Sequence, residues 1–205
     1  MILLANPNAN AATTERMRAI AAPWLPDLQG WTAPDGPDVI QTPDQLAAAG
    51  DRIAALMPPS GCRGVIVAAF GDPGADRLAA RLDCPVVGIG TAAARAARGG
   101  AFAVATTTPH LRDDIDALMR RHAQDAPYLG CFMTQGPTLA VMSDPPRLDQ
   151  ALLEAVRDAA RAGAQVVIIG GGPLAQAAER IAVRSPVPLI QPIPQAARMM
   201  AGLLT

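Results

Sequence analysis

The sequence predicts an α/β fold of two pseudo-symmetric lobes, each a parallel sheet flanked by helices, with a cleft between them. Three observations lead there. Short apolar runs alternate with helix-period segments along the whole chain, the pattern of parallel sheets covered on both faces. Runs such as Val65-Ile66-Val67 and Val166-Val167-Ile168-Ile169 are apolar at every position, as strands buried on both faces are. The second half of the chain also repeats the first: ILLANPN (2–8) matches FAVATTT (102–108), VIVAAFGDPG (65–74) matches VVIIGGGPLA (166–175), and PVVGIGTAAAR (85–95) matches PLIQPIPQAAR (188–198). The first lobe is expected to hold residues 1–93 and 190–205, the second residues 94–189.

In order along the chain, Ile2 to Ala5 is a strand that stops at Asn6-Pro7-Asn8, because Asn and Pro end strands and begin turns. Thr13 or Thr14 is expected to cap a helix that Pro23 closes. A weaker strand spans Leu28 to Thr32. Thr42 followed by Pro43 is a cap and a first-turn proline, opening a helix to about Met57. The strand from Val65 runs into Gly71-Asp72-Pro73-Gly74, and a helix follows from about Asp76. A strand is predicted over Pro85 to Ile89, then a helix from Thr91 to the stop at Gly99-Gly100. The cycle restarts with strand Phe102 to Ala105, a helix from about His110 and strand Tyr128 to Thr134. A helix over Arg147 to Ala162 leads to strand Gln165 to Ile169, which ends in Gly170-Gly171-Gly172-Pro173. A further helix, strand Pro188 to Ile190 and a helix from Gln195 complete the chain.

Composition narrows the function. The formal net charge is -1, so no basic face for nucleic acid or an anionic membrane is expected. The chain has no lysine, which excludes Schiff-base chemistry by the protein and a lysine-anchored pyridoxal cofactor. Cys62, Cys84 and Cys131 lack metal-ligand spacing, and no metal site is predicted. No charged leader precedes the first strand and no apolar run is long enough to span a membrane, so a cytoplasmic location is expected.

In parallel α/β sheets ligands bind beyond the carboxyl ends of the strands. Those ends carry Asn6 and Asn8, Phe70 and Gly71, Thr106, Thr107 and Thr108, and Gly170 with Gly172. Short polar side chains and close backbone at such ends suit a small carboxylate or carbonyl. Asp72 has two readings: a base or ligand-orienting group, or a carboxylate capping the next helix. His110 also has two: a cleft-side group titrating near neutral pH, or a first-turn residue of an exposed helix. Gly88-Ile89-Gly90 with Ala93 imitates a dinucleotide fingerprint but lacks the acidic partner strand, so no cofactor is predicted.

Together, Asn6-Pro7-Asn8, Gly36-Pro37 with Ile40, Phe70-Gly71-Asp72-Pro73-Gly74, Pro85-Val86-Val87-Gly88-Ile89 and Thr106-Thr107 resemble the Asp/Glu/hydantoin racemase family, nearest its hydantoin and allantoin racemase branch. The resemblance covers nearly the whole chain. It implies a cleft for a small carboxylate, hydantoin or ureide, a homo-oligomer, and no cofactor. It also implies one cysteine per lobe, one thiolate removing the substrate proton while the other thiol returns one to the opposite face. Here those positions hold Ala69 and Gly171, and a further acidic position of the family holds Thr91. Neither Ala nor Gly can move a proton, so two-cysteine racemisation is not expected. The resemblance therefore leaves two expectations: isomerase- or lyase-type acid–base chemistry by other residues, with Asp72 and His110 as candidates, or a ligand-binding or regulatory homologue without chemistry.

Overall fold

The computed structural model describes residues Met1–Thr205. Its first sheet is formed by β1 (Ile2–Asn6), β2 (Leu28–Thr32), β3 (Val65–Val67) and β4 (Val86–Gly88), and its second by β5 (Phe102–Thr106), β6 (Tyr128–Met133), β7 (Val166–Ile169) and β8 (Leu189–Ile190). Both sheets are parallel throughout, in the orders β2-β1-β3-β4 and β6-β5-β7-β8. The order is the same in both halves, so the internal repeat is one of topology.

The helices are α1 (Ala11–Ala21), α2 (Pro43–Ala55), α3 (Ala75–Ala79), α4 (Ile89–Ala96), α5 (Arg112–His122), α6 (Thr138–Met142), α7 (Pro145–Arg161), α8 (Ala175–Ala182) and α9 (Pro192–Leu203). Side chains alternate across a strand, so each all-apolar run is divided between two cores. Ile2, Leu4 and Ile66 of the first sheet join Phe102, Val104 and Ile168 of the second in one core, filled by α1, α4, α5 and α9. The alternate residues Leu3, Ala5, Val65 and Val67 face Ile53 of α2 and Leu78 of α3. In the second sheet Ala103, Ala105, Val167 and Ile169 face α7 and α8. The two sheets thus share a middle layer, and α9 returns from β8 to pack on α1, α4, β3 and β4.

Several boundaries differ from expectation for local reasons. Asn10, not Thr13 or Thr14, caps α1: its side chain accepts the Thr13 N–H at 2.9 Å. Asn is as good a cap as Ser or Thr, and it comes one turn earlier. Thr14 instead lies inside the helix, its hydroxyl 2.6 Å from that of Thr32. Thr42 and Pro43 open α2 as expected. The last helix starts at Pro192 rather than near Gln195, since proline fits a first turn whose N–H groups have no helical partner.

The repeat itself is displaced by one residue from the sequence match. Sequence similarity puts Val65 beside Val166, yet Leu3 pairs with Val65 and Ala103 with Val167, so Val65 corresponds to Val167. The Ala68 N–H then donates to Ala5 O at 2.8 Å just as the Gly170 N–H donates to Ala105 O at 2.9 Å. One step further, Ala69 and Gly171 occupy equivalent places in the two halves.

Candidate functional site

Beyond the carboxyl ends of β1, β3, β5 and β7 lies a cavity of about 50 Å³, measured as space open to the centre of a water molecule. One such water needs roughly 10–15 Å³ on this measure, so the space suits a small ligand. Strand ends of both sheets line it: Asn8, Ala69 and Phe70 from the first, and Thr106, Thr108 and Gly171 from the second.

Each group is placed by local chemistry. The Asn6 side chain donates to Thr14 Oγ1 at 3.0 Å and to Asn10 O at 3.3 Å, and accepts the Asn8 N–H at 3.1 Å. Asn6 is fully buried and does not line the cavity, so it fixes the turn rather than a ligand. That turn presents Asn8, which is 4% exposed and whose Oδ1 is buried without a partner. A buried amide oxygen left unpaired is costly, and a ligand N–H or O–H would satisfy it. The Thr106 hydroxyl donates to Gly170 O at 2.6 Å and lies 3.4 Å from that of Thr108. Thr107 and Gly172 also line the wall, whereas Gly71 faces a separate groove near Leu46 of α2.

Gly170 is required by close packing between the lobes: a Cβ there would stand 2.8 Å from Val104 Cγ1 and 2.9 Å from Phe70 Cε1. Gly170→Ala is expected to cost ~1–3 kcal/mol by overpacking. Urea denaturation measures this, and an unchanged midpoint would refute the tight contact.

The apolar side of the cavity was not read as part of the site. Val39 and Ile40, Leu111 and Ile115, Met142 and Leu174 complete the lining. Leu111 and Ile115 stand four apart, one helical turn, which was a usable signal. Met142 lies on α6, a short helix with no distinctive sequence pattern.

Asp72 and His110 are not brought to the cavity. His110 sits in the exposed turn Pro109–Leu111 and is absent from the lining. The Asp72 carboxylate accepts the Gly90 N–H at 2.7 Å and the Thr91 N–H at 2.6 Å. It caps a helix, but α4 rather than the expected α3, whose N-cap is Gly74 with no side-chain bond. Glycine permits this approach: a Cβ on Gly88 would lie 2.1 Å from Asp72 Cγ, and one on Gly90 3.1 Å from Oδ1. The glycines of the dinucleotide-like motif make room for a carboxylate of the chain itself, at the helix N-terminus where a phosphate would sit. Burial pushes the Asp72 carboxyl up to about 6, against the Thr91 hydroxyl and the two N–H groups.

The three cysteines lie elsewhere. Cys62 and Cys84 precede β3 and β4, at the ends away from the cavity. Cys131 is in the core beside Tyr128 Oη at 3.1 Å, and burial pushes its thiol up to about 12.

With this geometry established, the family model described as Asp/Glu/Hydantoin racemase matches residues 2–200. The chain belongs to the Asp/Glu/hydantoin racemase family. It is 24% identical over 216 residues to the hydantoin racemase of Paenarthrobacter aurescens, covering 99% of this chain and 90% of that one. Its fold superposes on the allantoin racemase from Klebsiella pneumoniae with a TM-score of 0.82 and 27% identity, covering 99% of this chain and 86% of that one. The allantoin racemase from Pseudomonas fluorescens gives 0.79 and 26%, covering 99% of this chain and 90% of that one. The cavity is lined by strand ends of both sheets, and no helix is long and apolar enough to cross a membrane.

Proposed function

We propose that this protein binds a small carboxylate, hydantoin or ureide in the inter-lobe cavity without racemising it, as a binding or regulatory homologue acting in the cytoplasm as a homo-oligomer without a cofactor. One observation carries the reading: no residue lining the cavity has an ionisable side chain. Racemisation needs a base on one face of a carbon and an acid on the other, and positioned groups of that kind contribute ~100- to 10,000-fold each. Alanine and glycine stand at the two positions the family resemblance assigns to them. Binding groups, by contrast, are plentiful. Asn8, whose amide oxygen is unpaired, lines the same cavity as the threonines of the second lobe, and the apolar lining residues suit a substituent.

A second reading keeps an enzyme, a cofactor-independent isomerase or lyase. What favours it is the Asp72 carboxyl, which burial pushes up to about 6, two residues along the chain from Phe70 of the cavity wall. The experiment separating the two is a panel of 5-substituted hydantoins, allantoin, aspartate and glutamate. Binding is followed by calorimetry and α-carbon deuteration by NMR in D₂O. At least one ligand is expected to bind, with exchange no faster than in buffer. Exchange above background for a bound ligand would transfer the case to the enzyme reading; absence of all binding would remove both.

A further inference from the structure

The loop that joins β3 to α3 is bent far from ordinary strand or helix geometry. Gly71, Asp72 and Gly74 all have positive φ, at 112°, 50° and 72°. Asp72 is the non-glycine residue among them, in a region that disfavours most side chains. At one end of the loop Ala69 and Phe70 form cavity wall, and the Phe70 ring lies against Gly170 of the second lobe. At the other end stands the Asp72 carboxylate, buried and joined to the first N–H groups of α4. α4 leads out of the first sheet toward the second, and it packs on α5 and α9.

The other half of the molecule solves the same problem without an acid. By the strand register, Asp72 corresponds to Leu174, and Gly90 and Thr91 correspond to Ile193 and Pro194. Pro192 and Pro194 occupy the first turn of α9, and a proline has no N–H to satisfy. A carboxylate was therefore not the only way to finish this helix. In the first half it links the helix to a cavity wall, and in the second the N-cap Gln191 makes no side-chain capping bond.

We propose that Asp72 is a positioning residue for the cavity: its carboxylate, held by the N-terminus of α4, sets the Ala69–Phe70 wall against Gly170, so a change at that carboxylate is transmitted to the ligand space. This deepens the reading of the cavity as a binding site. It concerns a side chain that touches no ligand itself.

The groups around Asp72 matter for its test. The groove beside it is bordered by Asp76 and Arg77 of the α3 segment and by Asp114, Arg121 and His122 of α5; Arg77 is paired with Asp51 of α2 and Arg121 with Asp76. Asp76 adds to the upward push on Asp72. His122 is held below its ordinary value by burial, then by Arg121 and Arg95, so it too titrates in the acid range and needs its own control.

The experiment is a pH titration of the ¹⁵N-labelled protein by NMR, with the Asp72 carboxyl ¹³C followed directly. The Gly90 and Thr91 amides are expected to move with Asp72, with a midpoint near 6. The decisive signals are the amides of Phe70 and Gly170, which are expected to follow the same midpoint in the wild type and in His122→Asn. All four are expected to be flat in Asp72→Asn, a substitution that tolerates the positive φ. Should Asp72→Asn fail to fold, agreement between the ¹³C midpoint and the cavity amides still decides. Overturning results are Phe70 and Gly170 amides that do not follow Asp72, or a cavity profile that persists in Asp72→Asn.

Two further readouts use other observables. A folded carboxyl raised from the ordinary value of 3.8 to about 6 holds its proton longer than the unfolded one, so its stabilising effect is complete below about pH 4 and lost as pH rises through 6. Urea stability should therefore fall over that interval in the wild type relative to Asp72→Asn. With 5-isopropylhydantoin as the probe at pH 7.5, Asp72→Asn is expected to bind roughly tenfold more weakly, the scale of losing one charge-assisted hydrogen bond that fixes the loop. Equal affinity would count against positioning. No binding by the wild type would instead count against the functional reading alone, since the NMR titration needs no ligand.

Discussion

Cysteine at both Ala69 and Gly171 is expected to raise racemisation of a 5-substituted hydantoin or small amino acid clearly above background, while either single substitution leaves it near background. Both positions line the same cavity, and they are equivalent in the two halves of the fold. Two thiols there would approach a bound carbon from opposite sheets, as inversion demands. Positioned acid–base groups contribute ~100- to 10,000-fold each, so supplying both should move the rate far more than supplying one. The substitutions are not equally easy. Ala69→Cys adds one sulfur to a side chain already at the wall. Gly171 has φ 147°, and a Cβ there would stand 3.3 Å from Leu174 Cδ1 and Cγ. A side chain in that backbone region costs ~1–3 kcal/mol, so the double variant should fold with a lower denaturation midpoint. Thiol titration should show at least one apparent pKa below the free-cysteine value, because oriented N–H groups at strand–helix turns favour thiolate. Chiral chromatography of the reaction mixture measures the outcome. Sulfurs found too far apart in a crystal structure to flank one carbon would defeat the site assignment. So would correctly placed sulfurs that leave the racemisation rate unchanged.

How much of this was legible in the sequence depended on which contacts specify a residue. The strands could be read because Val65-Ile66-Val67 and Val166 to Ile169 are apolar at every position, and both turned out to be inner strands of parallel sheets. Thr42-Pro43 could be read because cap and first-turn proline act within four residues. Of the two readings of Asp72, base or cap, the cap could be inferred but not its partner. Capping is local in geometry, and the first candidate was the adjacent α3. The bonds go instead to Gly90 and Thr91, 18 and 19 residues away, across a strand pairing that only the folded sheet creates. The different placement of Asn6 and Asn8 was not legible for a similar reason. Its amide is consumed by Asn10, Thr14 and the Asn8 N–H, while its neighbour two residues on keeps a free oxygen. From sequence the two asparagines look alike; burial and turn geometry separate them. For the apolar wall the spacing of Leu111 and Ile115 marks a shared helix face, but that face looks the same whether it meets a cavity or a core.

Phe102→Ala is expected to unfold both lobes earlier, not just the lobe that contains it. Phe102 starts the second sheet, is fully buried, and belongs to a core that also holds Ile2, Leu4 and Ile66 of the first. Its ring lies 5.1 Å from that of Tyr128, so the substitution removes an aromatic contact as well as volume. Losing a buried Phe side chain typically costs ~3–5 kcal/mol, a large part of the stability of an ordinary domain. The chain offers a way to see where that loss is felt, because both tryptophans, Trp24 and Trp31, lie in the first half. Trp24 packs on the shared core from the end of α1, and Trp31 belongs to β2. If the middle layer joins the lobes into one cooperative unit, tryptophan fluorescence and far-UV circular dichroism should lose midpoint together in urea. The first-lobe signal should fall by as much as the global one, although the mutated residue is in the second lobe. A biphasic transition, with fluorescence unmoved while circular dichroism shifts, would mean the lobes unfold independently and that the shared core contributes little to their coupling.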